Sequence, residues 1–247
     1  MPKARGWAAA LAVSLLGVAG CAAPPEESQE TLTIFAAASL RDVITDAADA
    51  FALAEGEGAP EVTLNFAGSN VLAQQISAAP AADIFFSADE DWVRFLEAKG
   101  RVVPGSVRPS LGNRLVVIAR PDAPAAAAPW TGLDRLAGHE VGQLVLADPS
   151  AVPAGRYAKA YLEQQAHLEG GGSMWEVVHG RVIPALDVRA ALQLVASDPQ
   201  HVGVVYRTDV RDSDAVEVLY ELPDLPSVPI VYYSARVPEG GGDAAAV

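Results

Sequence analysis

From residue 31 onward, short apolar runs take turns with longer stretches whose apolar residues recur at helical spacing. Thr31 to Ala36 (TLTIFA) has strand composition, and Leu40, Val43, Ile44, Ala47, Phe51 and Ala54 then follow the spacing of one helix face. Glu61 to Phe66 (EVTLNF) alternates again. Val71, Leu72 and Ile76 restart a helical stripe, and Asp83 to Phe86 reads as a short buried strand. Trp92, Phe95 and Leu96 form a helix face that Gly100 terminates. In the second half, Leu115 to Ala119, Gln143 to Ala147, Val202 to Tyr206 and Ile230 to Tyr233 read as strands. Tyr157, Ala158, Tyr161 and Leu162, and Val188, Ala191, Leu192 and Val195, mark helix faces. Strands alternating with helices predict an α/β fold of mostly parallel sheets flanked by helices. Breaks at 104–113, 121–129 and 223–229 predict two lobes, the chain crossing near Gly112 and again near Pro223. One lobe would hold 31–112 with 228–247, the other 113–227. Gly170 to Ser173 (GGGS) reads as a surface loop rather than a phosphate cradle, because no strand precedes it and no GK[ST] follows.

Residues 1–20 follow a different pattern. Lys3 and Arg5 precede an apolar run from Trp7 to Ala19, too short to span a bilayer of about 20 apolar residues. This predicts a signal peptide. Val18-Ala19-Gly20-Cys21 resembles the lipobox of bacterial lipoproteins, which implies that Cys21 becomes the lipidated first residue. Ala22 to Glu30 reads as a polar, proline-containing tether, so 21–30 would connect a membrane anchor to a working part in solution.

Composition removes several classes of function. With 247 residues the chain is long enough for a substantial core without staples. One cysteine excludes an intramolecular disulfide framework and any cysteine-built metal cluster. The four histidines are scattered with no ligand-pair spacing. A net charge of −14 argues against nucleic acid, whose phosphates need Lys and Arg.

Ligands of open α/β sheets bind at the carboxyl ends of strands, where helix N-termini offer free N–H groups. Five such corners stand out. Ser39, in FAAASLRD, sits where a helix cap belongs, with Asp42 placed to complete a capping box. Ser69, in FAGSN, is a second hydroxyl at a helix start. In DPSAVPAGRY, Pro153 and Gly155 predict a tight turn exposing the N–H of Ala154. Asp187 should cap a helix that presents the N–H of Val188, and Tyr206 leaves the end of a strand. Together they describe hydroxyl and backbone N–H donors with no necessary Lys, His or metal, a set suited to a fully ionised tetrahedral oxyanion. Such a site would exclude protonated anions, whose hydrogen would meet no acceptor.

At these residues the chain resembles a known family. FAAASL, FAGSNVLAQQI, ADIFFSAD, LGNRLVVIA, DPSAVPAGRYAK, DVRAALQLV and GVVY are similar, in order, to the periplasmic molybdate-binding proteins of bacterial ABC importers. The resemblance runs from residue 32 to about 233. It implies a two-lobed type II periplasmic binding-protein fold with molybdate or tungstate held between the lobes, and molybdenum bound only as the oxyanion. It also implies a monomer without a cofactor, recognised in its closed form by the importer's permease. The family's contacts carry onto Ser39, Ser69 and Tyr206 through hydroxyls, and onto Ala154 and Val188 through backbone N–H. Arg41 and Arg189 adjoin two contacts and are expected in surface or inter-lobe salt bridges. One departure is the end, Arg236 to Val247, which lacks the amphipathic stripe of the family's C-terminal helix and leaves first-lobe surface expected to be uncovered.

Three other readings compete. Another tetrahedral anion, sulfate or phosphate, would use the same donors and differ in cavity size. An exported hydrolase would need a GxSxG elbow followed by a histidine, which neither serine corner supplies, or placed carboxylates; Asp89, Glu90 and Asp91 instead suit a helix start. A purely structural lipoprotein would explain the acidic charge as solvation alone.

Overall fold

The computed structural model describes residues 31–166, 171–211 and 213–238. The signal peptide, lipobox and tether, Gly170 of the GGGS run and residues 239–247 of the C-terminal tail therefore lie outside the described residues. Among the described residues, ten strands form two five-stranded sheets. The first contains β1 (Thr31–Ala37), β2 (Glu61–Ala67), β3 (Ile84–Ser87), β4 (Arg108–Gly112) and β10 (Val231–Arg236), in the order β2-β1-β3-β10-β4. The second contains β5 (Leu115–Ala119), β6 (Gln143–Ala147), β7 (Val182–Ala185), β8 (His201–Tyr206) and β9 (Glu217–Glu221), in the order β7-β6-β8-β5-β9. The helices are α1 (Arg41–Glu55), α2 (Ser69–Ala78), α3 (Glu90–Ala98), α4 (Pro153–Gln164), α5 (Met174–Val178) and α6 (Val188–Ser197). No described helix is long and apolar enough to cross a membrane.

The two sheets follow one plan. Each has a parallel core of three strands: β1 pairs with β2 and β3, and β6 with β7 and β8. Each then adds two antiparallel pairings, through β10 in the first and β5 in the second. Helical crossovers force parallel pairing, as the alternation predicted. β5 escapes this because only Asn113 and Arg114 separate it from β4, so it enters the second sheet directly and runs antiparallel. β10 enters from the segment 222–230 in the same way.

The apolar core is built on β5, β6 and β8, whose residues Val116 to Ala119, Leu144 to Ala147 and Val202 to Tyr206 are buried. The faces predicted for α4 and α6 pack there, with Ala158, Leu162, Ala191, Leu192 and Val195 buried. Phe35, Phe85, Leu72, Ile76, Val93 and Leu96 form a separate cluster under α2 and α3. α1 departs from expectation. Of its predicted stripe, Leu40 (just before the helix) and Ile44 are buried, whereas Val43, Phe51 and nearby Leu53 are exposed. β4 is exposed along its length.

Candidate functional site

The five predicted corners meet in one cleft between the sheets. Ala37, Ala38, Ser39, Gly68, Ser69 and Ala88 line it from the first sheet, and Val152, Pro153, Ala154, Asp187, Val188 and Tyr206 from the second. The cleft is narrow, with a cavity volume of only about 10 Å³. Ser39, Ser69, Ala154, Val188 and Tyr206 are all buried.

The local chemistry differs from expectation at two corners. Ser39 is not a helix cap. It lies in a 3-10 turn, Ala38 to Leu40, that precedes α1, and the residue at the cap position is Leu40, with no side-chain hydrogen bond. Its Oγ is instead 2.9 Å from Tyr232 Oη on β10. Likewise, Pro153, Ala154 and Gly155 are the first residues of α4 rather than a separate tight turn. Proline suits this position because the first N–H of a helix has no intrahelical partner. Gly155 is required for another reason: a Cβ there would lie 1.9 Å from the carbonyl oxygen of Ala147. The absent side chain lets the start of α4 rest against the end of β6 and turns Ala154 toward the cleft.

The other corners match their reading. Asp187 caps α6, its Oδ1 accepting the Ala190 N–H at 2.9 Å, which leaves the N–H of Val188 in the unpaired first turn. Ser69 opens α2, and its Oγ accepts the N–H of Ala88 at 3.0 Å. With its oxygen engaged as acceptor, the hydroxyl proton is free for the cleft. Tyr206 ends β8. Its Oη is buried without a hydrogen-bond partner among the described residues; it is near enough to influence the Tyr232 phenol but not in hydrogen-bonding geometry with it. Burial pushes both phenols well above their usual range, so each remains an O–H donor.

The electrostatics come from dipoles. α2, α4 and α6 all start at the cleft, bringing the positive ends of three helices together. Asp187 is the only charged residue in the lining, and its carboxylate is occupied as a cap. Among the described residues no cluster of His, Cys, Asp or Glu could hold a metal ion. The two arginines divide. Arg189 pairs with Asp42 of α1 across the cleft, and its Nε lies 2.9 Å from Asp209 Oδ1. Arg41 instead stacks on the Phe66 ring at 4.7 Å. A further cross-sheet ion pair joins Arg156 Nη1 of α4 to Asp89 Oδ2 at 3.0 Å, with Asp91 beside it. Burial raises the carboxyl of Asp89 to about 6 and that of Asp209 to about 7.

Sequence reasoning missed Asn113, Thr208 and Tyr232. Asn113 Nδ2 donates to Thr208 Oγ1 at 2.9 Å and to Tyr232 Oη at 3.1 Å. These residues sit in segments read as a linker, an unassigned stretch and a packing strand. A lone polar residue in such places carries no local signal.

Two sheets of this order, joined by two crossings and enclosing a donor-lined cleft, define a periplasmic binding-protein fold. The chain belongs to the bacterial extracellular solute-binding protein family, whose model matches residues 32–247. It is 36% identical over 250 residues to the molybdate-binding protein ModA of Escherichia coli, covering 98% of this chain and 90% of that one. It is 34% identical over 206 residues to ModA of Haemophilus influenzae, covering 81% and 76%. A Bacillus subtilis protein named as an ABC transporter substrate-binding lipoprotein is 32% identical over 230 residues, covering 91% and 82%. Among solved structures, the periplasmic molybdate-binding protein of Azotobacter vinelandii superposes with a TM-score of 0.67 at 21% identity, covering 83% of this chain and 85% of that one. The sulfate-binding protein SubI of Mycobacterium tuberculosis superposes at 0.70 with 14% identity, covering 85% and 76%. At those identities the superpositions establish the fold.

Proposed function

We propose that this chain captures molybdate or tungstate outside the cytoplasm and delivers it to an ABC importer. The observation that carries this reading is the lining of the cleft. Three hydroxyls and the first-turn N–H groups of Ala154 and Val188 converge there with no Lys, Arg or His. A dianion with four bare oxygens can meet every such donor. A protonated anion would bring a hydrogen to a site built from donors. The similarity to two molybdate-binding proteins supports the choice among tetrahedral dianions.

In this reading the lobes are 31–112 with 228–247 and 113–227, in keeping with the strands each sheet recruits. The anion is bound by Ser39, Ser69 and Tyr206 hydroxyls and the Ala154 and Val188 N–H groups. Binding stabilises the closed pair of lobes, the form a permease would engage. The protein works as a monomer, exported by residues 1–20 and held to a membrane by lipid on Cys21. The relationship to a Bacillus lipoprotein supports that anchor.

Thermal unfolding of residues 22–247 with and without molybdate, tungstate, sulfate and phosphate tests the assignment. An anion at a hundred times its dissociation constant adds about 2.7 kcal/mol of stability. A rise in melting temperature with molybdate and tungstate alone is expected. A rise with sulfate alone would reassign the cargo, and a cooperative transition unmoved by any of the four would overturn the reading.

A further inference from the structure

Ser39 belongs to a chain of side chains whose proton positions are fixed by one backbone group. The N–H of Arg114 can only donate, and it lies 2.9 Å from Asn113 Oδ1. That contact sets the orientation of the amide, so Nδ2 faces the other way and gives its two hydrogens to Thr208 Oγ1 and Tyr232 Oη. The Tyr232 oxygen is therefore an acceptor from Asn113. Tyr232 is fully buried, and the acceptor in hydrogen-bonding geometry with its own proton is Ser39 Oγ at 2.9 Å, whereas Tyr206 Oη nearby is not. Once Ser39 accepts that proton, its hydroxyl hydrogen has no acceptor among the described residues and is left for the cleft.

We propose that Tyr232, oriented by Asn113, is a positioning residue that fixes the Ser39 hydroxyl as a donor into the cleft. The proposal rests on the reading of the cleft as an oxyanion site and adds a residue to it. Without Tyr232's proton, Ser39 is free to turn its hydrogen away and present a lone pair to an anion oxygen. The segment that supplies the orientation lies between β4 and β5, where the chain first passes from one sheet to the other. The donor is thus set correctly only while that crossing, β10 and the turn holding Thr208 keep their mutual arrangement.

Because Tyr232 acts through Ser39, its effect must vanish when Ser39 has no hydroxyl. Molybdate titrations by calorimetry would compare Tyr232→Phe in three backgrounds: otherwise unchanged, Ser39→Ala and Ser69→Ala. Phenylalanine keeps the ring that packs on Tyr206 at 5.6 Å between centroids. The expected result is about a 10-fold loss of affinity in the first and third backgrounds and less than about 2-fold in the Ser39→Ala background. Equal losses in all three, or no loss in the first, would overturn the proposal while leaving molybdate binding intact. A folded wild type with no molybdate heat would overturn the oxyanion reading and the proposal together. Asn113→Asp reaches the same hydroxyl from the partly exposed side. The new carboxylate would take the Tyr232 proton, and its effect too should shrink in the Ser39→Ala background.

Discussion

Trp92 Nε1 donates to the carbonyl oxygen of Ala151 at 3.0 Å, joining α3 of the first sheet to the loop that leads into α4 of the second. The bond links the two sheets one residue from Val152 of the cleft lining. Trp92→Phe keeps an aromatic body against Phe95 and removes the donor. It should weaken closure, lowering molybdate affinity about 3- to 10-fold, mainly through faster release. Stopped-flow displacement reads this directly, and an unchanged release rate would show that the bond does not hold the lobes.

Tyr206→Phe should have effects of opposite sign on the free and bound protein. The hydroxyl is buried without a partner, so removing it relieves a desolvation cost and should raise the anion-free melting temperature by a few degrees. The same change removes a donor to the anion and should cost about 1.5–3 kcal/mol of affinity. Ser39→Ala and Ser69→Ala should lower affinity by a similar amount, about 1.5–3 kcal/mol. Neither should bring the stabilisation, because both hydroxyls already have partners. A Tyr206→Phe protein that binds as tightly as wild type would remove Tyr206 from the site.

Gly155→Ala tests the placement of α4. The added Cβ meets backbone rather than a movable side chain, so the helix start must lift from β6. A loss of at least about 2–3 kcal/mol in stability is expected, with anion binding impaired through Ala154. A melting temperature within a degree of wild type would contradict this account of the VPAG segment.

Asp209 gives a pH prediction. Burial raises its carboxyl from 3.8 to about 7, against the pull of Arg189. Between about pH 4 and 7 the folded protein keeps a proton that the unfolded chain releases, so this group's contribution falls as pH rises through that window. Asp209→Asn should remove that component, gaining on the order of 4 kcal/mol relative to wild type between pH 4 and 8. Chemical denaturation across that range decides it. A difference that does not change with pH would mean that Asp209 is ionised throughout.

Much of this was legible in the chain because the informative residues sit where local rules are strong. Five of the six parallel-core strands could be read from their composition, and the corners that follow them carry glycine, proline and small polar residues; β7, only four residues long with a proline inside it, could not. β4 was hidden because RPSLG is exposed throughout and has a proline in its second position; it is an edge strand with no apolar alternation. β9 is likewise half-exposed, at the edge of the second sheet. Ser39 lines the cleft, though not as the helix cap its position suggested. Its hydroxyl is set by a tyrosine 193 positions away, which no local pattern can announce. The exposed side of α1 was invisible for the converse reason, since spacing predicts a face and not whether anything covers it.

The order in which the strands are made has a consequence for how the protein is assembled. The second sheet is complete once residue 221 has been synthesised. The first must wait for 231–236, which enter between β3 and β4 rather than at an edge. Until then β3 and β4 have unpaired backbone edges facing each other across an empty place, a state prone to wrong pairing. The strand that closes this gap also brings Tyr232. Final folding of the first sheet and completion of the Ser39 donor are therefore a single late event, and a chain halted before it would carry four of the five corners' geometry with the fifth unset.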